Sequence, residues 1–491
     1  MQGRLFLFCI GGTGMRVLRS LIFLLASGTQ IRAKQIIPII IDADTENGDV
    51  ARTLRLLKYY NNIRKNAHTK NSSFFYTAIE SLKSIQDESE DPDFESFLEY
   101  LSPKTQAQSF SNFLQYDYLD KDTQALLSLL YEDRQLNADL SVGFRGQPQM
   151  GSIVLNDLPQ SKVFETFINA LKEDDRIFMI HSVFGGTGAS GFPLLLKNIK
   201  EKEHKNQQAI LNKISVGALC VLPYFGVKTD KNSQIDKNSF MRKTKIALQH
   251  YEKSIKSLNV LYYIGDTPQK DYENIEGAKN QKNKAHFIEV ASALSIIDFM
   301  ELNLSKGRDT IYKEFGIQET NEDYIDFKSL GPKSKLAMAQ PLVQFYYSCM
   351  HWKNQLPKSI HHNSVVYING HSEGSSAKIL PSFLKSDFYK GNLEPFYKEF
   401  EIWLKELAEN EKSFSPYDFK AQSLHNMLRN VQHKPVGLLF KSDKWDYLDF
   451  DTALDRVEPQ TKHMTVEQKF IALYALATAD IYNQRITQAM Y

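Results

Sequence analysis

Two short strings, "CIGGTGMRVLRSL" (residues 9–21) and "FGGTGASGFPLLL" (residues 184–196), constrain this fold more than any other feature of the sequence. Each places a glycine turn between an apolar run of strand length and a run whose apolar residues recur at helical spacing. Such a turn leaves main-chain N–H groups pointing outward at the positive end of a helix. An anion such as phosphate is stabilised there, and side chains would block its approach. Gly11, Gly12, Thr13 and Gly14 would form one cradle. Gly185, Gly186 and Gly188, with the Thr187 hydroxyl and with Ser190 opening the helix, would form the other. Either loop alone is equally compatible with a tight strand-to-helix connection. Two in one sheet are harder to explain that way.

The surrounding pattern predicts strands at residues 4–10, 35–41, 176–183, 215–222 and 260–265, with helices at 15–26, 190–200 and 240–258. Apolar strands alternating with amphipathic helices predict an α/β fold, a parallel Rossmann-like sheet covered on both faces, with ligands at the carboxyl ends of its strands. A long helix free of Gly and Pro begins near residue 283, in "NKAHFIEVASALSIIDFMEL". Beyond "GPKSK" (331–335) the expectation is an α+β region with strands at 364–370 ("SVVYING") and 436–440 ("VGLLF") and a helix at 395–409. A closing helix carries Thr465 and Gln468 at capping-box spacing. The chain thus divides into 1–270, with a mostly helical insertion at about 50–140, then a central helix and acidic loop at 271–330, then 331–491.

Composition narrows the partners. Among 491 residues, Lys+Arg 59 nearly balances Asp+Glu 58, so no global field favours nucleic acid or an anionic surface. Within residues 52–139, Arg52, Arg55, Lys58, Arg64, Lys65 and Lys70 are interleaved with Tyr59 and Tyr60, and the acidic "DESEDPDFES" follows. This stripe is either a solvated helix face beside an acidic neighbour or a nucleic-acid surface, and composition favours the first. The insertion and the C-terminal region are both candidates for docking a protein partner. Aromatic-rich helices such as "PFYKEFEIWLKEL" are more simply read as core. The apolar N-terminal runs are broken by glycines and arginines and fall short of the roughly 20 residues needed to span a bilayer, so no membrane segment is expected. Three widely spaced cysteines, Cys9, Cys220 and Cys349, fit a cytoplasmic protein. No histidine or cysteine spacing suits a protein-held metal, and no GxSxG elbow or GxxxxGK[ST] loop occurs.

Gly12-x-Gly14 opening a helix, with Asp42 and Asp44 ending the next strand, also admits a dinucleotide-binding reading and hence an NAD-dependent oxidoreductase. Val17 stands where the third glycine belongs, and the second loop would have no role. The order of motifs over residues 4–328 resembles the tubulin/FtsZ superfamily. "FGGTGASG" is similar to its signature "GGGTGSG", departing at Phe184, Ala189 and Ser190. "GFRGQPQMG" (143–151) is similar to the FtsZ loop "GAGANPEIG" that approaches the γ-phosphate, and "SVGALCVLPYFG" to the turn near the ribose. "AHFIEVASAL" looks more like divergent bacterial tubulin-like proteins than like FtsZ itself.

The resemblance implies GTP or GDP with Mg2+, the phosphates lying at the two glycine loops, beside Asp42 and Asp44 and near Gly146 and Gln147. It implies Pro223 by the ribose, Asp266 accepting from the guanine N1 and N2 donors, and His286 near the base. A buried histidine bonded to a backbone carbonyl is the plainer account of His286. It further implies head-to-tail self-association into filaments. "NEDYIDFK" would then supply the acids that align water on the neighbour's γ-phosphate, Asn321 positioning it and Asp323 and Asp326 polarising it. The same string alone is an exposed acidic turn. The C-terminal region carries no pattern of the FtsZ activation domain. The alternative is therefore a non-polymerising, nucleotide-gated scaffold or sensor in a multi-protein bacterial system such as anti-phage defence.

Overall fold

Leu5–Ile10 (β1) is apolar at every position, and a strand buried on both faces belongs in the middle of a parallel sheet. The computed structural model places it there. It describes residues 3–44, 47–87, 98–99, 108–144, 146–201, 207–227, 237–255, 258–267, 271–272, 283–304, 309–314, 323–362, 364–370, 376–410, 412–435 and 444–486. The main sheet also contains β2 (Gln35–Ile41), β3 (Ala78–Ile79), β4 (Leu98–Glu99), β5 (Arg176–Ser182), β6 (Ser215–Val221), β7 (Val260–Ile264) and β8 (Ile311–Glu314). All of its pairings are parallel, in the order β8-β7-β6-β5-β1-β2-β3, and β4 pairs with the far end of the β2 edge that β3 occupies. The chain winds outward from β1 through β2 to β3, then returns to β5 on the other side of β1 and winds outward again. The winding reverses between β1 and β5, where such sheets leave a crevice at their carboxyl edge.

The helices that matter for the site are α1 (Gly11–Ala26), α2 (Gly48–Ala67), α3 (Pro148–Val154), α4 (Gly186–Glu201), α5 (Lys237–Ser254) and α6 (Phe287–Glu301). The C-terminal region adds α7 (Pro332–Asn354), α8 (Glu394–Glu409), α9 (Tyr447–Val457) and α10 (Val466–Arg485). Every residue of α1 except Gly12 is buried, because its outer face is covered by the C-terminal helices. Phe23 lies 5.5, 5.6 and 4.9 Å from the rings of Phe396, Phe400 and Trp403 of α8.

Residues 48–67 are no insertion; α2 is the crossover helix after β2, burying Leu56, Leu57, Tyr60 and Ile63. Its basic stripe meets an acidic neighbour within the chain. Arg52 pairs with Glu406 at 3.0 Å and Arg55 with Glu399 at 3.5 Å, both on α8. Most of the acidic "DESEDPDFES" string lies outside the described residues.

α6 runs antiparallel to the strands. At its start Glu289 meets α1, while at its end Arg176, which opens β5, donates to the carbonyls of Phe299 (2.6 Å) and Leu302 (2.9 Å). The structure differs from the sequence expectation in the C-terminal region, which contains no strand among the described residues. The expected strand at 364–370 is instead a helical turn, Val366–Asn369, held by the Asp455 carboxylate accepting from the Tyr367 N–H at 2.7 Å. Residues 436–440 lie outside the described residues. The closing helix α10 begins as expected, with Thr465 and Gln468 in a reciprocal capping box. β8 was not foreseen: an edge strand whose residues are mostly exposed has no apolar alternation to betray it. No helix among the described residues is long and apolar enough to cross a membrane.

If α1 truly joins both regions in one core, Phe23→Ala should cost about 3–5 kcal/mol. Urea unfolding should still show one transition; separate transitions for the sheet and the C-terminal helices would contradict a shared core.

Candidate functional site

The two glycine strings meet at the switch point. A Cβ built on Gly11, whose φ is +70°, would lie 3.4 Å from Thr187 Cβ and 3.6 Å from the Gly188 nitrogen. Gly14 packs so closely on β1 that a Cβ would sit 2.6 Å from the Cys9 carbonyl carbon. Gly12 differs: its nearest neighbours would be Arg16 Nη1 and Asn47 Nδ2, both at 3.9 Å, ordinary contact distance, so a side chain is admitted there without displacing anything. Ile10 precedes α1 and offers no side-chain cap, and neither α1 nor α4 has an acidic residue in its first turn. The positive ends of two 16-residue helices therefore abut with no carboxylate from their own first turns.

A third loop closes over the second. A Cβ on Gly186 would meet Phe144 Cβ at 2.8 Å and the nitrogens of Gly146 and Gln147 at 3.2 and 3.3 Å, so any side chain there would displace the loop. Gly143 brings the same loop to Asp44, and Lys243 of α5 donates to the Gly146 carbonyl at 2.8 Å. Asp42 and Asp44 are buried at the end of β2, where Asp42 Oδ1 accepts from the Asp44 N–H at 3.2 Å. Burial, and then the Asp44 charge, push the Asp42 carboxyl up to about 7. A cation would reverse that shift. Among the described residues no three acidic, His or Cys side chains form a metal cage. Mg2+ commonly takes one or two carboxylates and completes its shell with phosphate and water, which suits this pair.

The other side of the site is built by Pro223, Tyr224, Asp266 and His286. The Pro223 carbonyl accepts from the Asp266 N–H at 3.4 Å, and Asp266 lies 3.8 Å from Lys412. His286 caps α6, its Nδ1 accepting from the Ile288 N–H at 3.1 Å. The ring proton therefore sits on Nε2, which has no partner among the described residues although the residue is only 2% exposed. A backbone carbonyl does not satisfy it. Burial, reinforced by Arg16 and Lys412, holds the imidazole down to about 4, so it is neutral at pH 7.

Beneath the site lies a buried ionic cluster that motif matching missed. Arg16 of α1 donates to Glu289 of α6 (2.8 Å) and to the Tyr224 hydroxyl (2.8 Å), and pairs with Asp49 of α2 (3.3 Å). Tyr224 in turn donates to Glu289 at 3.2 Å. Burial opposes the guanidinium charge, but Tyr224, Glu289 and Asp49 outweigh it and raise the Arg16 pKa. A signal was present in the sequence: Arg16 and Arg19 interrupt an otherwise apolar helix, and buried charge demands partners.

The acidic loop is placed differently from expectation. Asn321 lies outside the described residues, and Asp323 is exposed. Asp326 is buried with its carboxylate committed to a turn: Oδ1 accepts from the N–H groups of Lys328 (2.8 Å) and Ser329 (3.1 Å), and Oδ2 from Asn430 at 2.9 Å. Its neighbour Ile325 pairs with Phe414, whose ring lies 5.2 Å from Phe287 at the start of α6. The loop is thus at the same end of the sheet as the glycine turns, because β8 carries the chain back there after α6. No protein-family model matches the sequence, and no curated protein matches it.

His286 shares its neutrality with His181 of β5, which stacks 3.8 Å from Phe192 with both ring nitrogens unpartnered among the described residues and is driven by burial to about 3. Both folded pKa values lie below the unfolded value near 6.5. Their contribution is full above that pH and is lost as pH falls toward 4 and then 3, by up to about 1.4 kcal/mol per pH unit for each histidine. His181→Phe, which keeps the stack, should flatten the decline in urea stability between pH 7 and 5. An unchanged slope would contradict the assignment.

Proposed function

We propose that the chain is a tubulin-like nucleotide-binding protein that takes GTP, or GDP, with Mg2+, its phosphates held by main-chain amides of Gly11–Gly14 and Gly185–Gly188. One observation carries this reading: two glycine-lined helix N-termini, neither with an acidic residue in its first turn, touch at the reversal point of a parallel sheet. A dinucleotide would occupy the same crevice, yet a paired positive end suits a run of phosphates better than a single pyrophosphate. Asp42 and Asp44 would share the Mg2+ with the phosphate oxygens, and Gly146 and Gln147 would border the terminal phosphate. Asp266 as acceptor and the orphan His286 Nε2–H as donor complement the edge of guanine.

Hydrolysis completed by a neighbour in a head-to-tail filament needs acids at the far end of the sheet from the phosphates. Asp323 and Asp326 lie at the near end, and Asp326 is occupied by its own turn. We therefore favour the nucleotide-gated scaffold or sensor over the filament-forming GTPase. Arg16–Glu289 and Arg19–Glu406, at 2.8 and 3.1 Å, link the helix beneath the phosphates to α6 and α8 and supply a route from nucleotide to the C-terminal helices.

Titration calorimetry with GTP, GDP, ATP and NAD tests the ligand. Gly12→Asp places a carboxylate in the first turn of α1, at a position that admits a Cβ without a clash, where it suits the helix but repels phosphate. GTP affinity should fall at least about 100-fold, roughly 2.7 kcal/mol, with the melting temperature kept or raised. Unchanged affinity would contradict the proposal. Sedimentation should show no GTP-dependent pelleting, and pelleting with GTP but not GDP would restore the filament reading.

A further inference from the structure

A second cavity, about 710 Å³, lies between α3, α4 and α5, on the outer side of the loop that covers Gly186. Its volume falls within the range of small-molecule sites. Leu194, Ile246 and Tyr251 give it an apolar wall, and it opens to solvent past Ile246, which is 64% exposed. Lys197, Lys200 and Lys243 line it, and among the described residues no Asp or Glu does. Lys200 makes no ion pair among the described residues, and burial lowers its pKa, the mark of an ammonium held partly out of water without a counter-charge. Lys243 is shared: it lines the cavity while donating to the Gly146 carbonyl of the loop over the glycine turn.

We propose that this cavity binds a small anionic amphiphile, a carboxylate headed toward the lysines with an aliphatic body against the apolar wall, and that its occupancy is felt by the Gly146 loop through Lys243. The head group competes with the Gly146 carbonyl for the Lys243 ammonium. Binding therefore changes the hold on a loop that borders the second glycine turn. The coupling rests on the nucleotide reading above; the site itself does not.

Decanoate is the probe, with decyltrimethylammonium as the control of equal chain and opposite charge, both titrated into the full-length protein without nucleotide below their micellar concentrations. Saturable binding of decanoate alone is expected, weakened at least about tenfold by Lys200→Gln and abolished by Ala247→Phe, which fills the cavity from α5. Equal binding of the two probes, no binding of decanoate, or indifference to both substitutions would overturn the site. Saturating decanoate should then shift GTP affinity at least about threefold, and GTP should shift decanoate affinity by the same factor. GTP binding that ignores decanoate would overturn the coupling. A protein that binds decanoate but no nucleotide would overturn the nucleotide reading and leave the site standing.

Discussion

Two helix dipoles ending side by side repel each other unless an anion lies between them, and the rest of this structure is arranged around that condition. α1 and α4 begin immediately after neighbouring strands, and Gly14 lets α1 start hard against its strand. The usual remedies for a helix N-terminus, a Ser, Thr, Asp or Asn cap or an acid in the first turn, are missing from α1, and the second is missing from α4. A buried helix end without such partners is costly in a protein that keeps its site empty. It is well suited to one that binds phosphate.

The cluster around Arg16 answers a different requirement. A helix buried on all sides carries two arginines, and each must find carboxylates from elements distant in sequence. Arg16 finds them on α2 and α6, Arg19 on α8. Removing one partner of a buried pair costs several kcal/mol because the other is left uncompensated, so these contacts fix the relative seating of four helices around the N-terminal end of α1. The same contacts offer a physical path by which a bound anion alters the C-terminal helices.

Much of the sheet was legible because a parallel, doubly covered strand is apolar at every position, as in residues 5–10 and 36–41. What escaped was local or long-range. β8 is an exposed edge strand of polar appearance. Residues 364–370 carry β-branched residues, yet a distant carboxylate, Asp455, turns them into helix. The basic residues of α2 were read as a helix face beside an acidic neighbour, but that neighbour could not be named because the partners lie some 350 positions away on α8. The glycine turns were legible as candidates, and the structure brings them together with Asp44 and the Gly143–Gln147 loop. The acidic motif was misplaced because motif order says nothing of an intervening strand that reverses the chain's direction across the molecule.

The most direct measurement is a crystal structure with a non-hydrolysable GTP analogue and Mg2+. The account predicts phosphate oxygens at about 3 Å from main-chain nitrogens of both glycine turns, with the metal beside Asp42 or Asp44. Phosphates bound by lysine side chains elsewhere, with both turns untouched, would contradict it.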